Sequence, residues 1–152
     1  MISTTLTILE KTRANINKLV AAYSLEQLQI IPEGMNNNLL WNYGHVLVTQ
    51  QLLCYKLSGN EVSMESSIVD RYRKGTFPDH IDAEAELALF NKLCFEQVGV
   101  LKADYEKGLF KDFKPYATSF GMELAAIEDA ILFNNAHEAM HLGTMLAIRK
   151  FL

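Results

Sequence analysis

Apolar residues near the start of the chain recur at three- and four-residue intervals, which is the period of an amphipathic helix. The pattern predicts a first helix over residues 4–23, and its apolar stripe is formed by Leu6, Leu9, Ile16, Val20 and Tyr23. Arg13 falls on the same stripe, and we expect its long stem to reach the edge of a helix bundle. Ser24 and Gln27 have the spacing of a capping box and predict a short helical turn that ends before Pro32.

The middle of the chain contains a second helix followed by a long connection. Asn38 is suited to cap a helix over residues 39–57, and Ser58-Gly59 supplies the glycine that commonly follows a helix end. Residues 60–81 contain one glycine and one proline and show no sustained apolar period. We interpret this stretch as a connection of the long kind that often carries function.

The second half of the chain predicts two more helices. Asp82 is placed to cap a third helix, whose apolar face continues to about Lys107-Gly108. Residues 108–121 have the composition of a loop, and the last helix is predicted to begin within 122–127 and to run to the chain end. Four long helices with two long connections predict an all-α, single-domain four-helix bundle over residues 1–152.

Composition and charge exclude two classes of partner. Of the 152 residues, 49% are hydrophobic and 21% are charged, as in an ordinary soluble domain. The formal net charge is −4 and no basic run exceeds Arg71-Tyr72-Arg73-Lys74, so the electropositive surface that nucleic acid requires is missing. No stretch approaches the roughly 20 apolar residues of a membrane span, and the N-terminus lacks a signal-peptide pattern. We therefore expect a cytoplasmic protein, in which Cys54 and Cys94 are buried, reduced thiols.

Two of the four histidines form the segment His137-Glu138-Ala139-Met140-His141. Histidines four residues apart lie one turn above each other on a helix, so both imidazoles can reach one metal ion. The segment matches the H-E-x-x-H pattern of zinc proteases, but the eleven residues after His141 include no His, Asp, Glu or Cys. A protease of that class is thus disfavoured, and a third ligand must come from elsewhere in the chain.

His45 is the candidate for the third ligand. It lies in the apolar middle of the predicted second helix, close after Trp41. A single histidine in that setting is more often a buried residue satisfied by a hydrogen bond than a metal ligand. The pattern of residues alone leaves both interpretations open.

Five segments together resemble the DinB-like superfamily, in this order along the chain: Ile31-Pro32-Glu33-Gly34, Trp41-Asn42-Tyr43-Gly44-His45, Leu57-Ser58-Gly59, Lys74-Gly75-Thr76-Phe77-Pro78 and His137-Glu138-Ala139-Met140-His141-Leu142-Gly143. Members of that family are four-helix bundles with a three-histidine metal site, one ligand on the second helix and two on the last. The resemblance implies that His45, His137 and His141 are the ligands here. The family commonly has Gln after the final glycine, where this chain has Thr144.

Three neutral imidazoles suit a divalent Zn, Ni, Fe or Co ion and leave positions open to water or substrate. Glu138 is the candidate catalytic base, with two alternatives: a hydrogen bond to an imidazole, or a solvated place on the helix surface. Asn42 and Asn134 either orient the ligands or serve helix packing. Trp41 either walls the site or belongs to the core, and His80 is expected in an exposed loop.

Three functions remain open at this point. The first is a metal-dependent enzyme, similar to thiol S-transferases or metal-dependent hydrolases, that acts on an unknown small molecule or thiol. The second is a non-catalytic metal-binding or sensor module, and the third is a plain bundle whose histidines coincide. The family resemblance also implies a homodimer, to which the terminal Phe151 and Leu152 would contribute.

Overall fold

The computed structural model describes residues 2–79 and 81–152; His80, predicted to lie in an exposed loop, is outside the described residues. The helices are α1 (Ile2–Val20), α2 (Leu25–Leu28), α3 (Leu39–Gln50), α4 (Ser66–Tyr72), α5 (Ala83–Glu106) and α6 (Ile127–Ile148). A π-helical turn (Gln51–Tyr55) and a 3-10 turn (Lys56–Ser58) extend α3, and a 3-10 turn (Arg149–Phe151) follows α6. Strands β1 (Tyr116–Ala117) and β2 (Glu123–Leu124) pair antiparallel.

The four long helices form the predicted all-α bundle. Helices α1 and α3 each pack against both α5 and α6, while α1 and α3 touch each other much less, so they lie diagonally across the bundle. Every residue from Leu39 to Val48 of α3 is buried, which makes α3 the most deeply buried of the four long helices. Among the described residues, no helix combines the length and apolar character that crossing a membrane requires.

Several of the predicted helix signals are present as hydrogen bonds. The Ser24 hydroxyl accepts the backbone N–H of Gln27, and the Gln27 side chain accepts that of Ser24, which completes the capping box of α2. The Asn38 side chain caps α3, and Gly59 adopts the left-handed conformation (φ 70°) after the 3-10 turn. Helix α5 begins directly after Asp82 as predicted, although the Asp82 side chain makes no capping hydrogen bond.

Helix α1 has a different end from the predicted one, whereas the start of α6 falls within the predicted interval. Helix α1 ends at Val20 rather than at residue 23, because the backbone N–H groups of Ala22 and Tyr23 turn back to carbonyls three residues earlier. Helix α6 begins at Ile127, at the late end of the predicted interval. The carboxylate of Asp129 accepts the backbone N–H groups of Ala125 and Ala126 and so fixes this start.

Both long connections contain secondary structure that the sequence did not predict. The first holds α4, a helix of seven residues, and the second holds β1, which pairs with β2 after a tight turn. Cys54 and Cys94 are buried and free, as predicted, and burial raises the pKa of both thiols. Neither cysteine is therefore suited to act as a nucleophile.

Candidate metal centre

Three histidines from two neighbouring helices converge on one point. His45 lies in the middle of α3, and His137 and His141 are one turn apart on α6. One ring nitrogen of each lies within 4.8 Å of the other two, and Nε2 of His45 is 3.2 Å from Nε2 of His137. Ligands at about 2.0–2.1 Å from a tetrahedral ion are about 3.3–3.4 Å apart, so the His45–His137 separation matches that of two ligands of one ion, and the third nitrogen lies close enough to join them. The structure thus brings together the three predicted ligands.

Hydrogen bonds on the outer side of two rings hold them in place. Nδ1 of His45 lies 2.6 Å from the carbonyl oxygen of Tyr72, and Nδ1 of His141 lies 2.7 Å from Oδ1 of Asn42. Both partners are acceptors, so each Nδ1 carries the proton and each Nε2 keeps a free lone pair. A metal-binding histidine is commonly oriented in this way by a carbonyl or amide oxygen.

Asn42 is itself fixed from the other side. Its Nδ2 donates to the carbonyl oxygen of Asn38 at 2.7 Å and to Oδ1 of Asn37 at 2.8 Å, which directs its own Oδ1 towards His141. Of the two asparagines for which the sequence left open either orientation of a ligand or helix packing, Asn42 contacts a site histidine. Asn134 donates its amide instead to Glu138, at 2.8 Å.

The close approach of α4 to α3 explains how Tyr72 reaches His45. The Tyr72 ring packs across Gly44, where an added Cβ would lie 2.6 Å from its Cε1 and 2.7 Å from Cζ of Phe90. Real Cβ atoms essentially never approach this closely, so only glycine fits. The Tyr72 hydroxyl donates to Glu86 at 2.6 Å, which anchors the other end of the ring.

Trp41 serves both of the roles that the sequence left open. It is buried, and its indole stacks on the His45 ring with centroids 4.5 Å apart and planes 11° apart. It also lines the cavity beside the histidines, and its Nε1 donates to the hydroxyl of Thr76 at 3.2 Å. The hydrogen bond to Tyr72 restrains the His45 ring at its edge, and the stack on Trp41 restrains it at one face.

The electrostatics of the site favour neutral imidazoles. Burial, followed by the neighbouring imidazoles, lowers the pKa of His137 to about 2, and burial with His45 lowers the pKa of His141 to about 3. Burial also lowers the pKa of His45. Neutral imidazole is the form that binds a metal. Nδ1 of His137 is buried and has no hydrogen-bond partner among the described residues, and the tautomer that carries its proton there leaves Nε2 free as well. The donor set therefore fits a divalent ion of the imidazole-binding kind.

A cavity of about 550 Å³ opens beside the three histidines. Apolar side chains form much of its wall, including Leu52, Phe133 and Met140, and the segment between β1 and β2 contributes Thr118 and Ser119. Its volume lies within the range of small-molecule sites. An ion held by three protein ligands would face this space with its remaining positions.

Glu138 has a different environment from any that the sequence predicted. It is fully buried, so the solvated alternative is wrong, and it makes no hydrogen bond to a described imidazole and does not line the cavity. Its two carboxylate oxygens accept from Nε and Nη2 of Arg13 at 2.6 and 2.7 Å, and one of them also accepts from Asn134. These contacts favour a structural role, and the catalytic role of Glu138 stays a prediction.

The prediction that Arg13 reaches the bundle edge is wrong. Its side chain is fully buried between α1, α3, α5 and α6, where each of its three nitrogens, Nε, Nη1 and Nη2, donates a hydrogen bond. Besides Glu138, Nη2 donates to Gln50 at 2.7 Å and Nη1 to the carbonyl oxygen of Cys94 at 3.2 Å. Burial alone would lower the pKa of Arg13, but the Glu138 carboxylate raises it above its usual value, so the charge persists.

Two further residues of the site escaped the sequence analysis. Tyr72 contributes a backbone carbonyl, which leaves no side-chain signal. Thr49 lies one turn after His45, with its hydroxyl 3.4 Å from Nε2 of His45, and that spacing was available in the sequence. Thr144, which replaces the family's usual Gln, donates to the carbonyl of Met140 and does not line the cavity.

Comparison with known proteins agrees with this geometry. No characterised protein matches the chain in a sequence comparison. The sequence model of one family, the DinB superfamily, matches residues 8–145, a stretch that includes all three site histidines. Because the match covers most of the chain and the three histidines are positioned to bind a metal, the chain belongs to the DinB superfamily.

Proposed function

We propose that the protein is a metal-dependent enzyme that activates a small nucleophile at an ion held by His45, His137 and His141. The observation that carries the proposal is the position of the three convergent nitrogens at the wall of a 550 Å³ cavity. A structural metal site is closed by protein ligands, whereas this donor set has three ligands and faces open space. Zn, Ni, Fe and Co all suit three imidazoles.

The ion would supply Lewis acidity, which lowers the pKa of a coordinated water or thiol. The residues of the chain then orient the reactants and exclude water. Trp41 and Tyr72 hold the His45 ring, and Asn42 holds the His141 ring. The Thr49 hydroxyl, beside His45, is placed to hydrogen-bond a nucleophile that enters the cavity.

Among the two reaction classes, thiol transfer is favoured over hydrolysis. No carboxylate is present among the described residues that line the cavity, and Glu138 is occupied by Arg13 and Asn134. A hydrolase of this kind commonly needs a general base to position and deprotonate its water. A thiol has a much lower pKa than water, so binding to a metal suffices to ionise it.

The test begins with removal of the metal and reloading with each of the four ions. The loaded protein is assayed with small thiols and electrophiles, and in parallel with esters and amides. We expect thiol-dependent turnover that disappears together with the metal in His137→Ala, while Thr144→Ala, on the same helix outside the cavity, keeps both. Stoichiometric metal without any turnover would instead favour a non-catalytic binding or sensor module.

A further inference from the structure

The cavity beside the histidines is cationic, although the chain as a whole is acidic. Lys56 and Lys74 line it, and among the described residues no Asp or Glu does. The formal net charge of the chain is −4, so this excess of positive charge is local to the cavity. A bound divalent ion would add two further positive charges at its wall. Positive charge collected in a concave site raises the local concentration of anions.

Both lysines are free to bind a ligand. Their side chains are exposed, and neither makes a hydrogen bond or an ion pair with a described residue. This contrasts with Arg71 and Arg73 just before Lys74 in the chain, which pair with Asp79 and Asp70. The two basic groups that line the cavity are thus left without a carboxylate partner.

The position of Lys56 suggests the shape of a ligand. His45, Thr49, Leu52 and Lys56 line the cavity from one face of α3 and its extension, at successive helical turns. A rise of about 1.5 Å per residue puts the backbones of His45 and Lys56 about 16 Å apart along the axis. A ligand with its reactive group at the histidines and a charged group at Lys56 must span the part of this distance that the lysine side chain does not cover, so it is elongated.

We infer that the cavity binds a small, elongated molecule with an anionic oxygen group, a carboxylate or a phosphate, which the positive charge of Lys56 and Lys74 on the cavity wall attracts. This inference rests on the proposed function, because it names the class of thiol that the site accepts. The apolar wall contacts the stem of the molecule, and the lysines select its charge. A charge-assisted hydrogen bond from a lysine that reaches the anionic group gives the selection its strength.

The inference is tested with three thiols of similar length and different charge: mercaptohexanoate, mercaptohexyl phosphate and the neutral mercaptohexanol. The protein is loaded with Co(II), and sulfur binding is followed through the charge-transfer absorption that a thiol ligand gives to this ion. Dissociation constants are thereby measured without any assay of turnover. We expect at least one anionic thiol to bind about tenfold more tightly than the neutral one, the effect of one or two charge-assisted hydrogen bonds.

Single variants locate the origin of that preference. Lys56→Met and Lys74→Met should each lower it by about threefold or more, and higher salt should lower it in the parent protein. Lys102→Met is the matched control, because Lys102 is an exposed lysine that lines a separate cavity between α1 and α5. It should leave the preference unchanged. The more tightly bound of the two anions identifies the group that the lysines recognise.

Failure of the inference and failure of the proposed function give different results. Equal dissociation constants for charged and neutral thiols would overturn the inference while the sulfur absorption still supports thiol activation. A preference for anions that survives both lysine substitutions would also overturn it. No sulfur absorption with any of the three thiols would remove the proposed thiol function and the inference with it.

Discussion

Replacing Glu138 by Gln separates a structural role of this residue from a catalytic one. The substitution keeps the size of the side chain but removes the charge that faces Arg13. The guanidinium would remain fully buried with Gln50 and backbone carbonyls as its partners. We expect Glu138→Gln to lose stability and to keep its metal, because the carboxylate makes no hydrogen bond to the described histidines.

The magnitude follows from the burial of the pair, in which both side chains are 0% exposed. Removing one partner of a buried ion pair typically costs about 3–5 kcal/mol, because the other charge is left without compensation. In a domain of this size each kcal/mol lowers the melting temperature by roughly 2–4 °C, so we expect a fall of roughly 6–20 °C. The double variant Arg13→Met/Glu138→Gln should be more stable than Glu138→Gln, since no unpaired charge remains.

The assay combines urea denaturation followed by circular dichroism with elemental analysis of the folded protein. Glu96→Gln, on the exposed face of α5, is the matched control and should change the free energy of unfolding by less than about 0.5 kcal/mol. Parental stability in Glu138→Gln, together with full metal and a 10²–10⁴-fold loss of turnover, would refute the structural reasoning and support a catalytic base. A double variant less stable than Glu138→Gln would refute the charge argument.

Three further predictions concern the site and the assembly. Gly44→Ala should lower the free energy of unfolding by about 1–3 kcal/mol and weaken metal binding, because the new methyl group displaces Tyr72. Gly99 is a helical glycine with open space around it, so Gly99→Ala should not destabilise the protein. Thermal melts and metal titrations compare the two variants. The pKa values of His137 and His141, about 2 and about 3, lie below the value of about 6.5 in an unfolded chain. The unfolded state therefore binds more protons as pH falls from about 6.5 towards 3. In the metal-free protein each of the two histidines should then lower the free energy of unfolding by up to about 1.4 kcal/mol per pH unit, measured by urea titration. Light scattering should give twice the chain mass of 17.2 kDa, and the monomer mass would contradict the predicted homodimer.

The parts of the site that the sequence predicts are those with local spacing or local composition. His137 and His141 are related by one helical turn, which is visible without any tertiary information. The caps at Ser24 and Asn38 depend only on neighbouring backbone groups, and both formed as predicted. His45 required the family resemblance, because the residues around it are equally consistent with an ordinary buried histidine.

The parts that escaped prediction depend on partners far away in the chain. The sequence around Arg13 indicates a residue at the bundle edge, because its partner Glu138 lies more than a hundred positions later in the chain. The short helix α4 has little periodicity of its own and is held by the contact of Tyr72 with Gly44 and Glu86. Propensity does not encode such contacts, because they arise only once the long helices have packed.

The polar residues of α6 link the metal site to the stability of the bundle. Glu138, which accepts from Asn134, meets Arg13 of α1, while His137 and His141 meet α3, so α6 points polar groups inward on two adjacent faces. A rotation of the helix by one residue, about 100°, would leave the Arg13 charge unpaired and carry both histidines away from α3. The ion pair and the histidines thus require the same rotation of α6. The pair forms without a metal, so it holds the histidines in position before an ion binds. The conformational entropy of ordering the site is therefore lost on folding rather than on metal binding.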